Sequence, residues 1–268
     1  SLHDALPIFN LELCFPEQSP EWRERVLRAH VALAVRVTLD YGLLWFGSAD
    51  AILHAVRFHG LDRLAMVQAE GRRVILLVAH ALALDFGICA FGIRHRALGP
   101  YKALADPVID WLIARARTRF EGSVFEREAG MRPVIRGFRD GQILVYLADE
   151  DLGPDGAVFV PFFAEPKATL ATLGRLAKLG DARVIPSVNV LAKPWMKTRR
   201  LRPALVRSPV TLSPKEPVLV FSIRLMVPAL LAGGVQRKRK SPCVVASVWL
   251  RYWIPDSTCR EVFSPGSS

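Results

Sequence analysis

The chain has 268 residues, of which 51% are hydrophobic, so it can bury the core of one large domain or two small ones. This composition excludes a disordered protein. The formal net charge is +11, yet residues 1–190 carry 22 basic and 22 acidic side chains, whereas residues 191–268 carry 14 and 3. The whole excess therefore lies in the last part of the chain, and the first 190 residues lack the charge of a nucleic-acid-binding domain.

Cysteine spacing and hydropathy narrow the class further. The four cysteines are far apart and show neither C-x-x-C nor zinc spacing: Cys14, Cys89, Cys243 and Cys259. This cysteine usage favours a reducing compartment.

A membrane span needs about 18 consecutive apolar residues. Residues 74–93 come closest but include His80 and Asp85, so we expect no span. Residues 1–8 lack a signal-peptide pattern, and residues 1–14 form an atypical amino-terminal segment.

The first predicted elements are amphipathic helices. Residues 21–40 and 49–69 have apolar side chains three and four apart with arginines between them, which predicts two or three helices. Such stripes usually face a core, so a helical layer over a sheet is the simpler interpretation. The aromatic residues among them also suit contact with lipid, and both roles can hold together.

Strands and helices then alternate. Buried strands are predicted at 74–79, 143–147 and 184–190, with a short apolar segment at 158–163. Helices are predicted at 106–120, 131–138 and 168–179. This order indicates an α/β fold with a largely parallel sheet flanked by helices. Beyond residue 190 prolines interrupt a basic segment, no periodicity is visible, and the fold cannot be extended.

Catalytic chemistry is expected where the strand at 74–79 ends. His80 follows that strand and Asp85 comes five residues later, so Asp85 can accept a hydrogen bond from the imidazole and orient it as a general base. The spacing alone arises often by chance. The position of His80 at the end of a strand supports a functional role, because ligands bind at the carboxyl ends of parallel strands.

Two other classes of function remain open at this stage. A metal-dependent hydrolase would use His80, Asp85, Asp149 and Asp151 as ligands. A membrane- or nucleic-acid-binding protein would act through the basic run at 237–240, with His80 merely structural. The sequence has no G-x-S-x-G elbow and no glycine-rich phosphate motif, so serine hydrolase chemistry and nucleotide binding lack support.

An ordered set of short motifs resembles one family. These motifs are His80-x4-Asp85, Tyr101-Lys102, Asp106-Pro107, Asp110-Trp111, the 115–120 segment Arg-Ala-Arg-Thr-Arg-Phe, the 149–154 segment Asp-Glu-Asp-Leu-Gly-Pro, and the 158–163 segment Val-Phe-Val-Pro-Phe-Phe. Their order over residues 20–190 resembles the lipid A biosynthesis late acyltransferases, the lauroyl and myristoyl transferases of the wider H-x4-D/E acyltransferase group. Many relatives have Glu in place of Asp85.

The resemblance implies an acyltransferase that moves a fatty acyl chain from acyl carrier protein to a hydroxyl of a lipid A precursor. It implies His80 as general base and Asp85 as its orienting carboxylate. It implies substrate-binding roles for Arg117 and Asp149 and, more weakly, for Arg115, Arg119 and Asp151. We expect no cofactor, no metal and no nucleic acid. The membrane-anchoring helix of the family is not found in the sequence, so we expect a peripheral protein at the cytoplasmic face of the inner membrane.

The resemblance ends near residue 190. Relatives continue with strands and a closing helix that ends near a Pro-x-Gln-Tyr-x-Trp signature, and residues 191–268 contain none of these. We therefore expect a catalytic domain at 15–190 that is incomplete at its carboxyl end. A shifted reading frame in the gene would produce such a basic, proline-rich replacement, and the chain would then lack part of its core and its activity. Comparing the frames of the coding DNA tests this hypothesis.

Overall fold

A computed structural model of the chain describes residues 2–150, 157–191 and 219–223. The helices are α1 Leu2–Cys14, α2 Pro20–Phe46, α3 Ala49–Ala55, α4 Leu61–Ala69, α5 Leu84–Gly92, α6 Pro107–Thr118, α7 Arg132–Arg139 and α8 Thr172–Gly180. The strands are β1 Val56–His59, β2 Arg73–Val78, β3 Ala97–Tyr101, β4 Gly122–Glu126, β5 Ile143–Leu147, β6 Ala157–Phe162, β7 Glu165–Leu170, β8 Ala182–Leu191 and β9 Leu219–Ile223.

The main sheet has the strand order β1-β9-β8-β2-β5-β3-β4. Every neighbouring pair is parallel except β1 with β9, which is antiparallel. Strands β6 and β7 form a separate antiparallel hairpin. The predicted α/β class with a largely parallel sheet and flanking helices is confirmed.

Hydrophobic side chains cover both faces of the sheet because neighbouring residues of a strand point to opposite faces. On one face of β2, Val74, Leu76 and Val78 belong to a core shared with α2, α3, α4 and α5. On the opposite face, Ile75 belongs to a second core shared with α7 and α8. Burying one such side chain contributes about 1.5–3 kcal/mol. The helices predicted from the amino-terminal apolar stripes therefore form a layer that covers the sheet.

Helix boundaries follow local signals. The Asp106 carboxylate accepts hydrogen bonds from the N–H groups of Val108 and Ile109 at 2.9 and 3.0 Å, and Pro107 occupies the first turn, where its missing N–H costs nothing. The predicted helix at 106–120 is confirmed with its start at this cap. The Ser19 side chain caps α2 in the same way.

Several predicted elements are corrected. The two or three helices expected over 21–40 and 49–69 are three, but β1, an edge strand of only four residues that pairs with distant β9, separates α3 from α4 and was not predicted. The helix expected from residue 168 begins at Thr172, because β7 pairs with β6 through Leu170. Strands β3 and β4 were not predicted. Each of these strands depends on partners far along the chain, so short-range periodicity does not reveal them.

Residues on both sides of the expected catalytic domain at 15–190 contact the rest of the fold. Helix α1 packs on the fold with Leu11 only 1% exposed, and Arg23 pairs with Glu12. Strand β9 lies beyond residue 190 yet joins the sheet between β1 and β8. Asp151, residues 192–218 and residues 224–268, which include the basic run at 237–240, lie outside the described residues. Among the helices of the described residues, none is long and apolar enough to cross a membrane.

Candidate active site

His80 and Asp149 meet at the carboxyl edge of the sheet because their strands are neighbours in register. Val78 at the end of β2 pairs with Leu147 at the end of β5, and each polar residue follows its strand by two positions. His80 Nδ1 lies 2.8 Å from Asp149 Oδ1, and the backbone N–H of His80 donates to Asp149 Oδ2 at 2.7 Å. Asp149 thereby holds both the ring and the main chain of His80.

The exposure of this pair suits proton transfer. The His80 side chain is 43% exposed, whereas the Asp149 side chain is 16% exposed. An ionised Asp149 carboxylate can only accept a hydrogen bond, so the hydrogen bond to it assigns the ring proton of His80 to Nδ1. The lone pair of His80 Nε2 is then available to take a proton. The partly exposed imidazole can contact a ligand, while the Asp149 carboxylate behind it has little contact with solvent.

The residues around Asp149 are anchored from the hairpin. Lys167 Nζ on β7 donates to the Asp149 carbonyl oxygen at 2.9 Å, and the Leu170 N–H donates to the Ala148 carbonyl oxygen at 3.0 Å. Next to them, Arg127 and Glu150 form an ion pair. These contacts fix the short segment after β5, so the position of the Asp149 carboxylate depends on the hairpin as well as on the sheet.

Asp85 occupies a different environment from the expected one. It lies in the first turn of α5, only 7% exposed, where Arg117 Nε donates to its Oδ1 at 2.8 Å and the Tyr41 hydroxyl donates to its Oδ2 at 2.7 Å. The expected hydrogen bond from His80 to Asp85 is not formed, and Asp149 takes that place. The reason is directional: α5 turns the Asp85 side chain inward toward α2 and α6.

The buried carboxylate and guanidinium stabilise each other's charged forms. Burial alone would raise the pKa of Asp85, but the Arg117 charge and the hydrogen bonds from Arg117 and Tyr41 hold it below its ordinary value. Burial opposes the charge on Arg117 as well, yet neighbouring Asp85 raises the pKa of Arg117. Burial first, and then the Asp85 charge, raise the pKa of Tyr41 well above its ordinary value. These shifts favour an ionised Asp85, a charged Arg117 and a neutral Tyr41 hydroxyl.

Arg117 is held on two sides and open on a third. Its guanidinium carbon lies 5.5 Å from the centre of the Tyr101 ring, and the Tyr101 hydroxyl donates to the Asp110 carboxylate. A Cβ on Gly122 would come within 2.2 Å of the Arg117 carbonyl oxygen, so only glycine lets β4 start this close to α6. Arg117 Nη1 and Nη2 make no hydrogen bond to any residue of ranges 2–150, 157–191 and 219–223. As far as these ranges extend, both nitrogens are available to bind an anion.

The other predicted arginines point elsewhere. Arg119 donates from Nη1 to the Leu44 carbonyl oxygen and from Nη2 to the Gly47 carbonyl oxygen, both at 2.8 Å. These bonds satisfy carbonyl groups at the carboxyl end of α2, and the substrate-binding role expected of Arg119 stays a prediction. Arg115 is exposed and lies over the Trp111 ring, with its guanidinium carbon 5.6 Å from the ring centre.

The ligand set of a metal-dependent hydrolase is not assembled by the side chains that the structure describes. Among them, no three His, Cys, Asp or Glu residues lie close enough together to hold a metal ion. Asp85 instead belongs to the network with Arg117 and Tyr41, apart from the His80–Asp149 pair.

Two functional candidates were not identified from the sequence. Tyr41 counted only as one of the aromatic residues of α2, and Lys167 was not singled out. No local pattern marks either residue, because each acts on a carboxylate or carbonyl far away in the sequence. Asp149 carried a weaker signal, since it follows a buried strand just as His80 does.

Comparisons with known proteins agree with these motifs. The sequence profile of the bacterial lipid A biosynthesis acyltransferase family matches residues 8–201. A lipid A biosynthesis acyltransferase of Haemophilus influenzae is 35% identical over 178 residues, which are 66% of this chain and 56% of that protein. The lipid A biosynthesis lauroyltransferase of Escherichia coli is 32% identical over 180 residues, 67% of this chain and 58% of that protein.

A third relative extends the match. The lipid A biosynthesis myristoyltransferase of Escherichia coli is 32% identical over 200 residues, 74% of this chain and 62% of that protein. The chain thus matches more than half, but less than two thirds, of the length of these relatives. The profile match extends eleven residues past the expected boundary at 190 and includes both His80 and Asp149. The chain therefore belongs to the bacterial lipid A biosynthesis acyltransferase family.

Proposed function

We propose that this protein transfers a fatty acyl chain from acyl carrier protein to a hydroxyl of a lipid A precursor. The observation that carries the proposal is the half-exposed His80, held by Asp149 at the carboxyl edge of the sheet. Family membership supports the reaction class, since the relatives are named for acyl transfer in lipid A biosynthesis.

The reaction needs no covalent acyl-enzyme. His80 Nε2 takes the proton of the acceptor hydroxyl as its oxygen attacks the thioester carbonyl. The tetrahedral intermediate collapses, the carbon–sulfur bond breaks, and the protonated imidazole returns its proton to the leaving thiolate of acyl carrier protein. Asp149 orients the ring and stabilises its positive charge during the interval, the role that was expected of Asp85.

Arg117 is the proposed substrate-binding group. Its Nε is committed to Asp85, and its two terminal nitrogens can donate to a phosphate oxygen of the lipid or of the pantetheine arm, or to the carbonyl oxygen as charge develops. A guanidinium suits both anions because its donors lie in one plane. Asp149 acts in this proposal through His80 rather than by binding substrate directly.

Both substrates require surfaces outside the reacting centre. Exposed Arg115 would help attract the acidic acyl carrier protein. Helix α2 presents an apolar stripe that can lie on a bilayer holding the lipid acceptor, because residues four apart share one helix face. The α2 stripe consists of Val31, Val35, Leu39 and Phe46, which are 46%, 55%, 53% and 70% exposed. We propose contact with the cytoplasmic face of the inner membrane through this stripe.

The test replaces His80 with alanine. General-base catalysis contributes about 10²- to 10⁴-fold, so His80→Ala should lower transfer of labelled acyl groups from acyl carrier protein to lipid by that factor. His54→Ala is the matched control, since His54 is exposed in the last turn of α3. Binding to vesicles of anionic phospholipid should persist in both variants. Unchanged transfer in His80→Ala would refute the assignment.

A further inference from the structure

Tyr41 connects the long helix α2 to the buried charged pair behind the site. Its hydroxyl donates to Asp85 Oδ2 at 2.7 Å across 44 positions of sequence. Its ring contacts Trp45 and Phe86, with ring centres 5.8 and 5.7 Å apart. Packing therefore holds the ring in place, and the hydroxyl is aimed at one oxygen of one carboxylate.

The two donors to Asp85 together fix the plane of its carboxylate. Arg117 occupies Oδ1 and Tyr41 occupies Oδ2, while the Asp85 side chain is only 9% exposed. If the Tyr41 hydroxyl were absent, Oδ2 would lose its partner in a place where water has little access. The carboxylate could then rotate, and the direction of the Arg117 Nε hydrogen bond would change with it.

A tyrosine suits this position better than a second cation. Asp85 already shares its charge with Arg117, so a neutral donor satisfies the remaining oxygen without adding a charge to the buried site. Burial and Asp85 keep the pKa of Tyr41 well above its ordinary value, so the hydroxyl remains a donor throughout the neutral range.

The other contact of Arg117 cannot replace this constraint. The Tyr101 ring is a cation–π partner of the guanidinium, and such a contact constrains direction less than a hydrogen bond does. The hydrogen bond from Nε to Asp85 is the directional contact. The orientation of Nη1 and Nη2 thus depends on where the Asp85 carboxylate is held.

We propose that Tyr41 is a positioning residue for Arg117, acting through Asp85 to aim the two free guanidinium nitrogens at the anionic group of the substrate. This inference rests on the proposed acyl transfer and deepens it. It assigns α2 a role in the reaction besides covering the sheet. Tyr41 itself touches no substrate in this scheme.

The first measurement is acyl transfer by the full chain and its Tyr41→Phe variant, with Tyr146→Phe as the matched control. Tyr146 is also a buried tyrosine whose hydroxyl forms a hydrogen bond. Its partner is Thr172, and Tyr146 belongs to the second core rather than to the network around Asp85. A hydrogen bond to a charged group contributes a free energy that corresponds to about 10- to 100-fold in an equilibrium constant. We expect a loss of that size in kcat/KM for Tyr41→Phe and less than about twofold for Tyr146→Phe, with both variants folded by circular dichroism.

The second measurement separates positioning from a merely structural effect. In an Arg117→Lys background, which lacks Nε and the planar fork, adding Tyr41→Phe should lower kcat/KM by less than about twofold, because the group that Tyr41 positions is gone. If Arg117→Lys fails to fold, Arg117→Gln serves as the background. An equal loss in both backgrounds would overturn the proposal, as would full activity of Tyr41→Phe alone.

The wild-type chain distinguishes the two levels of inference. Transfer by the wild type together with additive effects of Tyr41→Phe and Arg117→Lys would overturn the positioning role and leave the proposed function standing. A wild-type chain that transfers no acyl group from acyl carrier protein to a lipid A precursor would overturn the proposed function, and the positioning role with it.

Discussion

Two carboxylates that could pair with His80, those of Asp85 and Asp149, lie in contrasting regions. Asp149 is at the rim of the sheet beside a half-exposed imidazole, whereas Asp85 is buried between α2, α5 and α6 with Arg117 and Tyr41. Asp85 is five residues from His80 in sequence and Asp149 is 69, yet the distant acid makes the hydrogen bonds. Proximity along the chain is thus a poor guide to which carboxylate pairs with an imidazole.

The contrast also separates two kinds of chemistry. At the rim, exposure lets the imidazole exchange a proton with a ligand. In the buried network, opposite charges lower the pKa of Asp85 and raise that of Arg117, so both stay charged and supply fixed geometry. One region can move a proton, and the other can hold a donor in place.

The largest expected effect comes from breaking the buried network. Asp85→Asn leaves the Arg117 charge without its partner, and removing one member of a buried ion pair costs about 3–5 kcal/mol. Urea denaturation measures the free energy of unfolding. Asp62→Asn is the control, because Asp62 is an exposed acid in the first turn of α4. A loss no larger than that of the control would contradict the network's contribution.

The same network predicts a pH dependence. The pKa of Asp85 is lower in the folded chain than its unfolded value, roughly 3.9. Its contribution to stability is therefore fully present above the unfolded pKa and is lost as pH falls through the folded pKa. The difference in unfolding free energy between wild type and Asp85→Asn should shrink across that acid range and stay constant from pH 5 to about 8.

A smaller effect is expected at the rim, and on activity rather than stability. Asp149→Asn can present an amide N–H to Nδ1, which favours the wrong tautomer of His80, so kcat should fall by about 10²-fold. Unfolding free energy should change less than in Asp85→Asn, since Asp149 faces a half-exposed group. If Asp149→Asn kept full kcat while the fold was intact, the orienting role would return to Asp85.

The smallest expected effect tests a residue that belongs to neither region. Arg119→Met removes two hydrogen bonds to the end of α2 and should cost roughly 1–2 kcal/mol of stability, with kcat/KM nearly unchanged. Arg136→Met on the exposed face of α7 is the control. A large rise in KM for either substrate, without loss of stability, would support the substrate-binding role expected of Arg119.

Many of the strands and helices could be predicted from local sequence patterns. The apolar runs of β2, β5 and β8 marked the buried strands, and Asp106-Pro107 marked the start of α6. These signals are complete within a few residues. Strands β1 and β9 were missed because each is short and depends on partners far along the chain, β1 on β9 and β9 on both β1 and β8. Strand β7 was assigned to a helix because its hairpin partner was not considered.

By itself the sequence determined the α/β class, the placing of His80 and Asp149 at strand ends, and the motif order of the family. It could do so because strand and helix periods and caps are local properties. Only the tertiary structure decided which acid faces the imidazole. The parallel register of β2 with β5 brings Asp149 to His80, while the direction of α5 sends Asp85 to Arg117 and Tyr41. Register and helix direction arise from packing between distant segments, so no short window of sequence contains them.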